Sequence, residues 1–105
     1  MQRRPFFGWL ALASLEAGAQ PQSVVHEVAI RDMQFHPAEL DVQVGDTVRW
    51  VNREKRTSHS VLFADVPESE RLLPEDAWER RFDRPGSYPY RCGPHLEMSG
   101  LVRVR

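Results

Sequence analysis

The sequence predicts a small all-β protein, an antiparallel β-sandwich or barrel, on three observations. Apolar and polar residues alternate in short runs, turn-forming residues interrupt those runs, and no window carries a sustained helical apolar stripe. With 105 residues, the chain is long enough for one domain and too short for two.

Each run can be justified in turn. Val24, His26, Val28 and Ile30 lie on one side of the first, opposite Val25, Glu27 and Ala29. Leu40, Val42 and Val44 alternate with Asp41 and Gln43 until Gly45-Asp46 interrupts. Thr47 to Asn52 resumes the pattern, with Val48 and Trp50 on one face. Two alternating runs about a Gly-Asp turn predict a hairpin. Ser60 to Phe63 predicts a short strand, and the acid- and proline-bearing stretch from Asp65 to Asp76 a loop with one helical turn. Trp78, Arg80 and Phe82 alternate up to the Arg84-Pro85-Gly86-Ser87 turn, Tyr88 to Cys92 follows, and Leu101 to Val104 closes the chain. Pro89 has no N–H to give a ladder, so its strand is expected to have a free side or an irregularity there.

The first nineteen residues follow a different plan. Arg3 and Arg4 precede an apolar run from Phe6 to Leu15, and Ala17-Gly18-Ala19 ends it with small residues. That order is the plan of an export signal, with cleavage expected after Ala19, and the apolar run is too short for a mature membrane anchor. The arginine pair fits a general secretory or a twin-arginine signal. Residues 20–105 are then the mature domain, exported, and periplasmic if the source is a Gram-negative bacterium. Without Arg3, Arg4 and Glu16 it keeps 12 basic and 14 acidic residues. Such a balance leaves no basic excess for nucleic acid.

A single cysteine excludes an internal disulfide, a four-cysteine zinc site and a CxxC redox pair. It leaves room for a metal site in which one thiolate is joined by other donors. Cys92, His95 and Met98 stand three residues apart in Cys92-Gly93-Pro94-His95-Leu96-Glu97-Met98, where Gly93 and Pro94 disfavour a helix. Thiolate and thioether are soft ligands and imidazole is intermediate, so the set suits copper in both redox states. A trigonal copper site needs a second histidine, with methionine as weak axial ligand. Of His26, His36 and His59, the last is favoured, because an extended segment puts it on one face with Val61 and Phe63. Taken singly, each of these residues is more often a packing or surface residue. An unpaired thiol in an exported protein shifts that balance. A Cys–His nucleophile would need an orienting group and an oxyanion site, for which the chain offers no clear candidates. Zinc could use the thiolate and imidazoles but takes a thioether poorly.

These motifs resemble those of the cupredoxins, the small blue copper proteins. The likeness runs through Phe35-x-Pro37, Leu40-x-Val42-x-Val44-Gly45-Asp46-Thr47-Val48-x-Trp50-x-Asn52, His59-Ser60-Val61 and Phe82-x-Arg84-Pro85-Gly86-x-Tyr88-x-Tyr90-x-Cys92-x-x-His95-x-x-Met98-x-Gly100. The short Cys-x-x-His-x-x-Met loop is similar to that of the amicyanins. The resemblance implies a Greek-key sandwich with one type 1 copper ion, held by His59, Cys92 and His95 equatorially and Met98 axially. It further implies a non-enzymatic, monomeric one-electron carrier whose redox partners dock near His95. The alternative is a periplasmic copper carrier or chaperone using the same ligands. Two departures stand out. Ser60 occupies a position where asparagine is usual in the family, so the bond that steadies the cysteine loop is expected to differ. Glu97 places a carboxylate inside the ligand loop, where it would favour Cu(II). Arg53, Lys55 and Arg56, and the acids between Asp65 and Asp76, are expected to serve solubility first, with steering of a partner as the functional alternative.

Overall fold

The computed structural model describes residues 22–105, so the export signal expected over residues 1–19 lies outside them. Eight strands form in chain order: β1 Val25–Arg31, β2 Gln34–His36, β3 Glu39–Val42, β4 Thr47–Asn52, β5 Leu62–Phe63, β6 Ala77–Arg81, β7 Gly86–Arg91 and β8 Ser99–Val104. They make two four-stranded sheets, ordered β2-β1-β4-β6 and β3-β8-β7-β5. Among the described residues, no helix is long and apolar enough to cross a membrane.

The all-β sandwich is as the sequence predicts, but two pairings depart from a purely antiparallel arrangement. β1 runs parallel to β4, and β3 runs parallel to β8. In each of these two pairs the chain crosses to the other sheet and back between the partners, so they need not be antiparallel. The same crossing overturns the hairpin expected about Gly45-Asp46. β3 and β4 lie in different sheets, and the turn carries the chain between them. Gly45 adopts φ of 95°, a region that glycine enters at little cost. Asp46, 4% exposed, fixes the crossing by accepting hydrogen bonds from the N–H groups of Val24 and Gln43 and from His26.

Between the sheets, Val28, Ile30, Val48 and Trp50 meet Phe63, Tyr90, Val102 and Val104. The ring of Trp50 touches those of Phe63, Tyr90 and Trp78 at centroid separations of 5.3 to 5.7 Å. Such pairs add specific geometry to the apolar burial. β5 pairs only with Tyr90 and Arg91, so its ladder stops one residue short of Pro89. That gives the expected free side at the proline. The stretch from Asp65 to Asp76 forms no helical turn. It runs instead beside the segment that follows β4, bridging Leu72 to His59.

Candidate metal centre

Cys92 leaves β7 and Ser99 opens β8, so the intervening loop starts and ends on adjacent, paired strands. The pair Arg91–Ser99 closes its mouth. Inside the loop, the Cys92 N–H donates to the Met98 carbonyl and the Met98 N–H to the His95 carbonyl, both at 3.0 Å. The Arg91 guanidinium donates to the carbonyls of Cys92 and Gly93 at 3.1 and 3.3 Å. Backbone groups that the loop could not satisfy by itself are thereby paired, and the three donor residues stay on one short arc.

His59 reaches the same point from the segment that connects β4 to β5. Its backbone exchanges two hydrogen bonds with Leu72, at 3.0 and 2.7 Å, so the segment is extended and pinned. His59, Val61 and Phe63 are all buried, as the alternation predicts.

The donor atoms converge. Cys92 Sγ lies 3.6 Å from His59 Nδ1 and 3.5 Å from His95 Nδ1, and the three ligand atoms fall within 4.8 Å of one another. Thiolate and imidazole ligands at about 2.0–2.3 Å from a common ion sit roughly 3.5–3.8 Å apart. The spacing therefore fits one ion without rearrangement. Cys92 and His59 are fully buried, Met98 is 2% exposed in the same loop, and His95 is half-buried. Two nitrogens, one thiolate and a nearby thioether are the donor set that copper accepts in both oxidation states.

Glu54 fixes the tautomer of His59. Its carboxylate oxygen, an acceptor only, lies 2.9 Å from Nε2, so Nε2 carries the proton and Nδ1 presents a lone pair toward the sulfur. Burial pushes the Glu54 carboxyl up. The hydrogen bonds it accepts from His59 and from the Met33 N–H outweigh this and hold it below the ordinary range.

The departure at Ser60 is resolved by three contacts. Its N–H donates to Cys92 Sγ at 3.4 Å. Its Oγ accepts from the Gly93 N–H at 3.0 Å and donates to Glu68 Oε2 at 2.6 Å. The cysteine loop is thus tied to the first-histidine segment through a hydroxyl and a carboxylate.

His26 pairs with Asp46, and His36 lies on β2, so neither joins the cluster. Glu97 is exposed at the loop's surface, as are Pro94 and Leu96. Of the expected basic run, Arg53 pairs with Glu27 and Glu75, whereas Lys55 and Arg56 make no salt bridge among the described residues. The acids from Asp65 to Asp76 are not merely solvated. Asp65 grips Arg80, Glu68 meets Ser60, and Asp76 accepts from the Leu73 N–H. Sequence reasoning missed Glu54, Glu68 and Arg91. Only Glu54 left a trace, as an acid five residues before the favoured histidine.

A buried His-Cys-His cluster with methionine in its loop, set in a β-sandwich, defines a copper-protein class. The chain belongs to the cupredoxin-like family, whose domain model matches residues 5–104. It is 34% identical to amicyanin-alpha of Methylorubrum extorquens over 101 residues, covering 90% of this chain and 84% of that protein. It is 40% identical to amicyanin of Paracoccus denitrificans over 83 residues, which are 73% of this chain and 63% of that one. A solved structure of an amicyanin mutant in its Cu(I) form superposes with a TM-score of 0.73 at 32% identity, covering 81% of this chain and 95% of the other.

Proposed function

We propose that the chain is an exported type 1 copper protein that carries single electrons between redox partners. His59, Cys92, His95 and Met98 would hold the copper ion. The observation that carries this reading is the approach of two histidine Nδ1 atoms to one buried thiol sulfur, at 3.6 and 3.5 Å. Copper bound there supplies reversible Cu(I)/Cu(II) chemistry.

The chain's own residues favour transfer over turnover. Four protein donors leave no coordination position for a substrate, so no enzymatic role is assigned. Pinning of Cys92 by the Ser60 N–H, and of His59 by Glu54, keeps ligand positions alike in both oxidation states. His95 is the half-buried ligand, and exposed Pro94 and Leu96 flank it. Beside them, Leu62, Ala64, Val66 and Pro89 line an apolar groove that also includes Leu96. An apolar rim about an accessible imidazole suits brief docking of a redox partner to a monomer. Copper delivery would need ligands that a receiving site can reach, whereas Cys92 and His59 are fully buried.

Repeated cycling tests the reading against the carrier alternative. The copper-loaded protein is reduced with ascorbate and reoxidised with ferricyanide in the presence of a Cu(I) chelator. Retention of copper through many cycles is expected of an electron carrier. Transfer of copper to the chelator in the first reduced phase would make it a copper-delivery protein. Mass measurement of the exported product tests cleavage after Ala19.

A further inference from the structure

Glu68 stands on a surface loop, yet its carboxylate is directed onto the backbone of the ligand loop. The segment carrying it lies alongside the first-histidine segment: Ser69 N–H donates to the Val61 carbonyl at 3.0 Å, and Ser69 Oγ accepts from the Val61 N–H at 2.9 Å. This registry places Glu68 opposite Ser60, whose hydroxyl donates to Oε2 at 2.6 Å. A serine hydroxyl has one proton to give. Committed to Glu68, it turns its lone pairs to the Gly93 N–H, 3.0 Å away. The fit is close enough that a Cβ at Gly93 would collide with the Glu68 carboxylate and lie 2.8 Å from Ser60 Oγ. Gly93 follows Cys92, and Ser60 follows His59 while its own N–H points at the sulfur. One surface carboxylate therefore reaches the segments carrying two of the proposed ligands through a single hydroxyl.

We infer that Glu68 is a positioning residue: through Ser60 Oγ it locks the Cys92–Gly93 turn, and its charge lowers the copper reduction potential. The second half rests on the type 1 copper reading; the first half does not. A hydroxyl hydrogen-bonded to a carboxylate is held more firmly than a neutral pair would hold it. A negative charge at this place stabilises Cu(II) more than Cu(I), because the oxidised ion carries the larger positive charge.

Hydrogen exchange at the Gly93 amide of the metal-free protein tests the first half. In Glu68→Ala, exchange at Gly93 is expected to quicken about tenfold, the effect of losing a charge-assisted hydrogen bond. Amides of Val48 and Trp50 should exchange as in the parent. In a Ser60→Ala background, Glu68→Ala should add nothing, because the relay is already cut. An unchanged Gly93 rate, or effects that simply add, overturns the positioning role. Copper loading tests the second half: Glu68→Gln should keep an intense blue band, raise the reduction potential and release copper to a chelator faster. A potential that stays or falls overturns the electrostatic part. If Gly93 responds as expected but no variant, nor the parent, binds copper, the copper reading fails and the positioning role stands.

Discussion

Glu54 holds His59 from the side of the imidazole away from Cys92: its carboxylate is 2.9 Å from Nε2, while Nδ1 faces the sulfur at 3.6 Å. The ligand is oriented before any metal arrives, and its proton sits where it cannot compete with one. Substituting Glu54→Ala removes the tautomer lock and leaves a buried Nε2–H without its partner. Copper affinity is expected to fall by about ten- to a hundredfold, the usual cost of removing such a partner. Competition against a chelator of known affinity measures it. An affinity within twofold of the parent would show that the ring is oriented by packing alone.

Arg80 is held among aromatic rings away from the ligands. Its guanidinium lies 4.6 Å from the ring centroids of Phe63 and Phe82 and 5.2 Å from that of Tyr88, and it makes two hydrogen bonds to Asp65. That hydrogen bonding holds the Asp65 carboxyl below its ordinary range despite partial burial. The side chain is 13% exposed, so its cation–π contacts are partly desolvated. Arg80→Ala is expected to destabilise the metal-free protein by about 2 kcal/mol, and Arg80→Met by roughly half that, since its stem still covers the rings. Urea unfolding gives both numbers. Losses under about 0.5 kcal/mol in both would mean that the stack contributes nothing beyond an ordinary surface residue.

Acid sensitivity has an identifiable source at the crossing between sheets. The hydrogen bond with His26, then those from the N–H groups of Gln43 and Val24, push Asp46 from 3.8 down to about 2. A carboxylate whose folded value is depressed stabilises the fold fully above its unfolded value and loses that contribution as pH falls through the folded one. The advantage of the parent over Asp46→Asn in thermal unfolding of the metal-free protein should therefore be constant above about pH 5 and shrink between pH 4 and pH 2. A difference that does not vary across that window would remove Asp46 from the account of acid unfolding.

Glu97 and Glu68 are both acids near the ligand loop, but only Glu68 is engaged with it. Both are exposed, but the Glu68 carboxylate is held 2.6 Å from Ser60 Oγ, whereas Glu97 makes no such bond among the described residues and its charge is left to solvent and salt to screen. Glu97→Gln is expected to raise the reduction potential slightly, by less than Glu68→Gln does, with the rise shrinking as ionic strength increases. Voltammetry at low and high salt checks both features. No rise, or one larger than that of Glu68→Gln, would reverse the relative importance assigned to the two carboxylates.

The sequence was most informative where chemistry is local. Cys92, His95 and Met98 lie within one loop, so their convergence needs only a turn, and His59 declares itself by sharing a face with Val61 and Phe63. Alternation located the strands because one face of each must be buried. It could not say which strands pair. Gly45-Asp46 offers the same local chemistry to a hairpin and to a crossing between sheets, and only the competing partners, β8 for β3 and β1 with β6 for β4, decide between them. Glu68 was illegible for a related reason. It looks like a solvated charge in its own neighbourhood, and its partner becomes a neighbour only when the sandwich closes.

The most direct measurement is the visible absorption spectrum of the purified mature chain with one equivalent of Cu(II), taken beside Cys92→Ser. An intense thiolate-to-copper band in the blue protein is expected, bleached by ascorbate, restored by reoxidation and missing from Cys92→Ser. A parent protein without that band, or a band that survives Cys92→Ser, would contradict a type 1 copper centre built on His59, Cys92, His95 and Met98.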